Sequence, residues 1–109
     1  MKQKIVQAFQ IANHPDRVPD TPAVFIPTGA RTLGILQYRN GPIMVIALVD
    51  ASAVSVWREV YVAYATLPFD ELVGLPVGDL IGETLTETGG KTIPVFIFKK
   101  GDWEKGLIH

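Results

Sequence analysis

Residues 31–50 read RTLGILQYRNGPIMVIALVD, and this stretch decides the fold. The dipeptide Asn40-Gly41 accepts the positive φ angles of a tight hairpin turn and lies between two apolar segments. The second segment, Ile43 to Val49, is an unbroken apolar run. Such a run is typical of a strand that is covered on both faces of its sheet. The stretch therefore predicts a β-hairpin with a buried second strand.

Pro42 restricts the kind of turn that this hairpin can form. It occupies the position whose N–H would close a two-residue loop, and proline has no N–H to donate. The sequence thus predicts either a loop wider than two residues or a loop without its closing hydrogen bond.

Several other segments favour strands because they combine β-branched and aromatic residues. They are Val54 to Thr66, Leu80 to Thr86 and Thr92 to Lys100, with a short extended piece at Ala23 to Ile26. Thr88-Gly89-Gly90-Lys91 is typical of a hairpin turn. Pro94 cannot donate to a ladder, so the last strand is predicted to lie at an edge or to have an unpaired start.

Lys4 to Ala12 allows two interpretations. Ile5, Val6, Phe9 and Ala12 have helical spacing, while Val6 to Ile11 (VQAFQI) fits a loosely alternating strand. Ile, Val and Phe favour pleated surfaces, which favours the strand. A single helical turn is predicted at Phe69 to Val73, where two acids lead the segment as a helix start prefers.

These elements predict one domain over residues 1–109 that is mainly β, with α+β as the alternative. About six strands at short spacing, joined by Gly/Pro turns, favour an antiparallel sandwich or a small open barrel. At most one or two short helices are expected. A core of this size needs no disulfide or metal to hold it.

Composition excludes several classes of function. The chain has no cysteine, which excludes disulfides, thiolate catalysis and cysteine-ligated zinc. Its net charge of −1 argues against electrostatic binding of nucleic acid, despite basic residues near both ends. No apolar run approaches the roughly 20 residues of a membrane span, and no signal peptide is visible. A cytoplasmic protein without cofactor or membrane partner is expected.

The order of motifs resembles a family of short bacterial and phage proteins, a domain of unknown function. The shared features are the IPTGA element at Ile26 to Ala30, the Asn-Gly hairpin, the ALVD segment at Ala47 to Asp50 and a closing VFIF at Val95 to Phe98. That family carries a Gly-Thr-Gly-His-Pro-like segment after its third long strand, where this chain has Ala63 to Pro68, AYATLP. The resemblance implies a phage or mobile-element setting and no particular chemistry.

The residues of nucleophilic and metal chemistry are sparse. His14 with Asp16 supplies a base and an orienting group, but no serine lies in a strand-to-helix elbow. His14, Asp16 and Asp20 lack the glycine-bracketed spacing of a calcium loop, so a solvated surface loop is favoured. Thr88 to Thr92 lacks the leading glycine and the following helix of a phosphate-binding loop. Neither a catalytic nor a metal site is predicted.

The remaining candidate site consists of aromatic and charged residues on the strand Val54 to Thr66. Its members are Trp57, Arg58, Glu59, Tyr61 and Tyr64, with Trp103 as an additional aromatic. Such side chains can line a pocket for a flat or cationic ligand. They are equally typical of a core or of a subunit interface, which is the favoured interpretation.

Two functional hypotheses follow from the sequence. The first is a non-enzymatic interaction protein that self-associates, by default as a dimer, because a doubly covered strand in a helix-poor domain needs a second sheet or subunit. The second is a small-molecule-binding protein or enzyme with an aromatic pocket, in which Arg58, Glu59 or His14 supplies the polar groups.

Overall fold

A computed structural model describes residues 3–39, 41–64, 79–101 and 103. These residues form an all-β fold, as predicted, and contain no helix. The seven strands are β1 (Lys4–Asn13), β2 (Pro22–Pro27), β3 (Arg31–Gln37), β4 (Ile43–Asp50), β5 (Ser55–Tyr64), β6 (Leu80–Thr88) and β7 (Lys91–Lys99). The count exceeds six because the short piece at Ala23 to Ile26 is a full member of the sheet. The helical turn predicted at Phe69 to Val73 lies outside the described residues.

The strands form a single sheet in the order β3-β4-β1-β2-β5-β7-β6. Each neighbouring pair is antiparallel. The sheet curls until its edge strands, β3 and β6, lie against each other. A Cβ atom on Gly82 of β6 would stand 3.0 Å from the backbone nitrogen of Ile35 on β3, so a side chain there would push the two strands apart and glycine permits the close approach. The result is a nearly closed barrel, one of the two predicted architectures.

The predicted hairpin is the β3–β4 pair, in which Gln37 faces Ile43. Its loop, residues 38–42, is wider than two residues, as the position of Pro42 predicted. The N–H of Gly41 donates a hydrogen bond to the carbonyl oxygen of Tyr38, 2.9 Å away. Arg39 adopts a left-handed φ of 48° in this loop.

The β4 strand is not fully covered on both faces, contrary to the expectation from its apolar run. Val45, Ala47 and Val49 are inaccessible and belong to the core, whereas the alternating residues Ile46 and Leu48 remain partly exposed. The barrel is a single curled layer, so its own side chains cover only its inner face. We call the side that bears Val45 the inner face and the opposite side the outer face.

The β1 strand confirms the strand interpretation of Lys4 to Ala12. Its first part pairs with β4, where Phe9 faces Val45, and its end pairs with β2, where Ile11 faces Val24. Phe9 and Ile11 therefore pack against the core from the inner face. Pairing with β4 and with β2 therefore selects the strand over the helix for this segment.

The β7 strand lies inside the sheet, between β5 and β6, so the prediction of an edge position is wrong. On the β6 side the start of β7 is paired from Lys91 onward, with Pro94 facing Leu85. On the β5 side an unpaired start stays a prediction, because the residues after Tyr64, the partner of Val95, lie outside the described residues. The turn before β7 is the predicted one, since Gly89 and Gly90 both have positive φ angles, 58° and 76°.

The core fills the barrel with small and β-branched side chains. Its members are Val24, Ile26, Val45, Ala47, Val49, Val60, Ile81, Val95, Ile97 and Trp103. Trp103 follows the last strand and is only 6% exposed. Its indole N–H donates to the carbonyl oxygen of Glu59, which satisfies the buried polar end of the ring.

Candidate functional site

The predicted site residues on β5 lie on two different faces of the sheet. Trp57, Glu59 and Tyr61 are on the outer face. Glu59 faces Ala23 of β2 and is the neighbour of the core residue Val60, so the two side chains lie on opposite faces of the sheet. Arg58 and Tyr64 share the inner face with Val60. The five residues are therefore not brought together in one pocket.

Trp57 belongs to a packed aromatic cluster on the outer face. The centroid of its ring lies 5.2 Å from that of Phe25 and 5.6 Å from that of His14, both tilted arrangements. Beside this cluster the Arg17 Nε and the Glu59 carboxylate are 3.7 Å apart. These two ring contacts place Trp57 between Phe25 of β2 and His14 of the preceding loop, so Trp57 anchors that loop onto the sheet.

His14 is positioned by its own loop. Its Nδ1 accepts a hydrogen bond from the backbone N–H of Asp16, 3.1 Å away, and the backbone N–H of His14 donates to Thr21 at 2.7 Å. Nδ1 is thus engaged by an amide and not by the Asp16 carboxylate that the base-and-orienter hypothesis required. Within the part of the chain that the structure describes, no group of three or more His, Asp or Glu side chains is arranged to hold a metal.

Among the described residues, the inner face holds two polar atoms that are buried without a hydrogen-bond partner. They are Nη2 of Arg58 and Oε1 of Gln37. Arg58 faces Val24, a core residue, across the β2–β5 pairing, which places it on the inner face. The Gln37 amide nitrogen is satisfied by the carbonyl oxygen of Gly41 at 2.9 Å. A buried donor that lacks an acceptor is rare in proteins and marks Arg58 as a candidate binding residue.

A concavity of about 460 Å³ opens at one end of the barrel. It is lined by Ile11, Ala12, Asn13, Pro22, Ile43, Val62 and Tyr64. We call this concavity the mouth. Tyr64 is the only one of the five candidate residues in this lining. Ile11 and Ile43 were missed as candidates because an apolar residue at a barrel end has the same sequence signature as one in the core.

The outer face of β1, β4 and β3 presents a continuous apolar surface. Its members are Val6, Leu36, Met44, Ile46 and Leu48, and we call this set the outer apolar face. Val6 faces Leu48 and Leu36 faces Met44 in the strand registers. Val6 is 63% exposed and Leu36 is 57% exposed, while the three β4 residues between them are partly exposed. Large apolar side chains that adjoin one another on a surface mark interaction sites.

Comparison with known proteins leaves the site to be interpreted from its own geometry. No protein-family model, curated protein or solved structure matches this chain. In the described residues there is also no helix with the length and apolarity needed to cross a bilayer.

Proposed function

We propose that this protein is a non-enzymatic interaction protein that dimerises by stacking the outer apolar face of one copy on that of another. The observation that carries the proposal is the exposure of Val6 and Leu36 on either side of Met44, Ile46 and Leu48. Side chains alternate between the two faces along β4, and those on its inner face belong to the core of one barrel. Its outer side then becomes the core of the dimer.

The energetics of apolar burial favour such an arrangement. Each square ångström of apolar surface removed from water contributes about 25 cal/mol. Two sheets pack face to face about 10 Å apart with interdigitating side chains, and the three adjoining strands supply a face suited to this packing. A stable interface buries roughly 800 Å² on each partner, so residues around the outer apolar face must also contribute.

Charge distribution favours a second copy as the occupant. None of the five members of the outer apolar face is charged; Lys4, Arg31 and Asp50 lie at the Leu48 end, and Arg39 follows β3 at the Leu36 end. A two-fold axis that lies between the stacked faces and perpendicular to the strands would place the Leu48 end opposite the Leu36 end of the partner. The Lys4, Arg31 and Asp50 side chains of one copy are thereby kept apart from the same residues of the other copy.

The biological setting that we propose is a phage or other mobile element. The support is the sequence resemblance carried by the IPTGA element, the Asn-Gly hairpin and the ALVD strand. A small non-enzymatic dimer would act there by binding another component through the surfaces outside the dimer interface.

A charge inserted into the outer apolar face tests the proposal. Leu36→Glu is expected to convert the dimer to a monomer, since a desolvated, unpaired carboxylate is costly at an interface. Leu85→Glu is the matched control, because Leu85 is 62% exposed and lies on the outer face of β6 instead. Sedimentation velocity measures both. Dissociation by Leu85→Glu with no effect of Leu36→Glu would assign the interface elsewhere and overturn the proposal.

A further inference from the structure

We propose that the barrel binds a small amphiphilic carboxylate, whose carboxylate pairs with Arg58 while its apolar chain occupies the mouth. The proposal concerns the inner face of the barrel and stands independently of dimerisation, which uses the outer face. Its basis is the buried, unpartnered Nη2 of Arg58 together with an apolar concavity at the same side of the sheet.

The position of Arg58 relative to the mouth follows from the strand registers. Ile11 lines the mouth and faces Val24, and Val24 in turn faces Arg58. Val62 also lines the mouth and is separated from Arg58 on the inner face of β5 only by Val60. Arg58 does not itself line the mouth; its backbone is two strand spacings from Ile11, about 10 Å, and a ligand that enters past Ile11 and Val62 must extend over that distance to meet the guanidinium.

The charges of the barrel wall favour an anion on the inside. All acids in the described strands lie on the outer face, namely Asp50, Glu59, Glu83 and Glu87. Arg58 and Lys99, by contrast, share the inner face, where Lys99 faces the core residue Val60. The Lys99 ammonium lies 5.2 Å from the centroid of the Trp103 ring. The Arg58 Nη2, by contrast, has no hydrogen-bond partner among the described residues.

The buried guanidinium donor of Arg58 favours a carboxylate as its partner. A guanidinium donor removed from water without an acceptor is strongly destabilising, and a carboxylate satisfies it with paired, charge-assisted hydrogen bonds. Arginine suits this role because its planar group is always charged and matches the geometry of a carboxylate.

The lining of the mouth indicates the rest of the ligand. Ile11, Ile43 and Val62 provide apolar walls, and Tyr64 and Asn13 provide polar groups. A volume of about 460 Å³ falls within the range of small-molecule sites. A monocarboxylic acid with a medium-length alkyl chain combines the anion that Arg58 needs with the apolar body that these walls favour.

Isothermal titration with octanoate tests the proposal, with octan-1-ol and octylammonium as ligands that lack the negative charge. We expect saturable binding of octanoate to the wild-type protein and binding about tenfold or more weaker to Arg58→Gln. The control variant is Arg31→Gln, because Arg31 is exposed on the outer face, and it is expected to bind as the wild type does.

Methyl NMR of the wild-type protein keeps the proposal testable if Arg58→Gln does not fold. Octanoate is expected to shift the methyl signals of Val24, Val60 and Val62, which surround Arg58 and the mouth on the inner face. Binding of octan-1-ol as tight as that of octanoate would overturn the proposal. So would equal binding of octanoate to wild type and Arg58→Gln, or the absence of saturable binding to the wild type. Leu36→Glu should bind octanoate normally, which separates this site from the dimer interface.

Discussion

The indole Nε1 of Trp103 lies 2.9 Å from the carbonyl oxygen of Glu59 and donates a hydrogen bond to it. The same oxygen also accepts the backbone N–H of Lys100 at 3.0 Å. The residues that follow β7 are therefore held against β5 by a shared acceptor. Because Trp103 also packs among core residues, this link joins the C-terminal part of the described chain to the interior of the barrel.

Replacement of Trp103 separates its hydrogen bond from its packing. Trp103→Phe removes the N–H and part of the ring, and we expect the free energy of unfolding to fall by about 1 kcal/mol for the hydrogen bond, plus a smaller packing loss. Trp103→Ala should cost about 3–5 kcal/mol, since it leaves a cavity in the core. Urea denaturation measures both. Equal, negligible effects would show that Trp103 does not support the fold.

The approach of β6 to β3 is expected to tolerate no side chain at position 82. Gly82→Val would place its Cβ against the backbone of Ile35, and overpacking of this kind costs about 1–3 kcal/mol. Glu83→Val is the control, because Glu83 is exposed on the outer face of the same strand. Thermal denaturation compares the two variants. A Gly82→Val protein as stable as Glu83→Val would contradict the close approach of the barrel edges.

Removal of the Arg58 charge is expected to stabilise the ligand-free protein. Arg58→Met keeps an extended apolar side chain and eliminates a guanidinium whose Nη2 is buried without an acceptor. Replacement of buried charge by a hydrophobic residue commonly stabilises by about 1–4 kcal/mol, and partial exposure of Arg58 places the expected gain at the low end. Denaturant titration without ligand measures it. A clear loss of stability would mean that Arg58 contributes to the fold itself.

Single cysteines map the dimer interface, because the native chain has none to interfere. Variants with Val6→Cys, Leu36→Cys or Ile46→Cys place a thiol at different distances from the proposed two-fold axis. Sheets stacked about 10 Å apart exceed the Cα separation of about 7 Å that a disulfide allows, so a short bis-maleimide linker is used, and the position nearest the axis should cross-link. Leu85→Cys should remain uncross-linked at the same concentration. Cross-linking of Leu85→Cys alone would place the interface on β6.

Local sequence patterns predicted much of the fold. The β3–β4 hairpin, the Gly89-Gly90 turn, the wide loop at Pro42 and the strand character of the apolar segments all depend on neighbouring residues, and all of these were predicted. The positive φ angle expected at Asn40-Gly41 is found at Arg39 and not at Gly41, while Asn40 lies outside the described residues. The position of β7 was not, because Pro94 restricts only the residues beside it and says nothing about the partner of Val95–Lys99. Barrel closure at Gly82 and Ile35 depends on contacts between distant strands, which local patterns do not encode.

The candidate site was predicted only in part. Side chains alternate along a strand, so Arg58 and Tyr64 lie on the face opposite Trp57, Glu59 and Tyr61, but alternation alone cannot say which group faces the core. That assignment required the pairing of Arg58 with Val24 of β2. The mouth was missed altogether, since nothing local distinguishes Ile11 from a fully buried isoleucine. The partial exposure of Ile46 likewise depends on the absence of a second layer over β4 within the described part of the chain.

The mass of the wild-type protein in solution tests the central claim most directly. Light scattering behind a sizing column, at protein concentrations across the micromolar range, distinguishes one chain of 11.9 kDa from two. Dimerisation through the outer apolar face predicts a mass of twice the single chain that falls toward one chain on dilution. A mass of one chain at every concentration would contradict it.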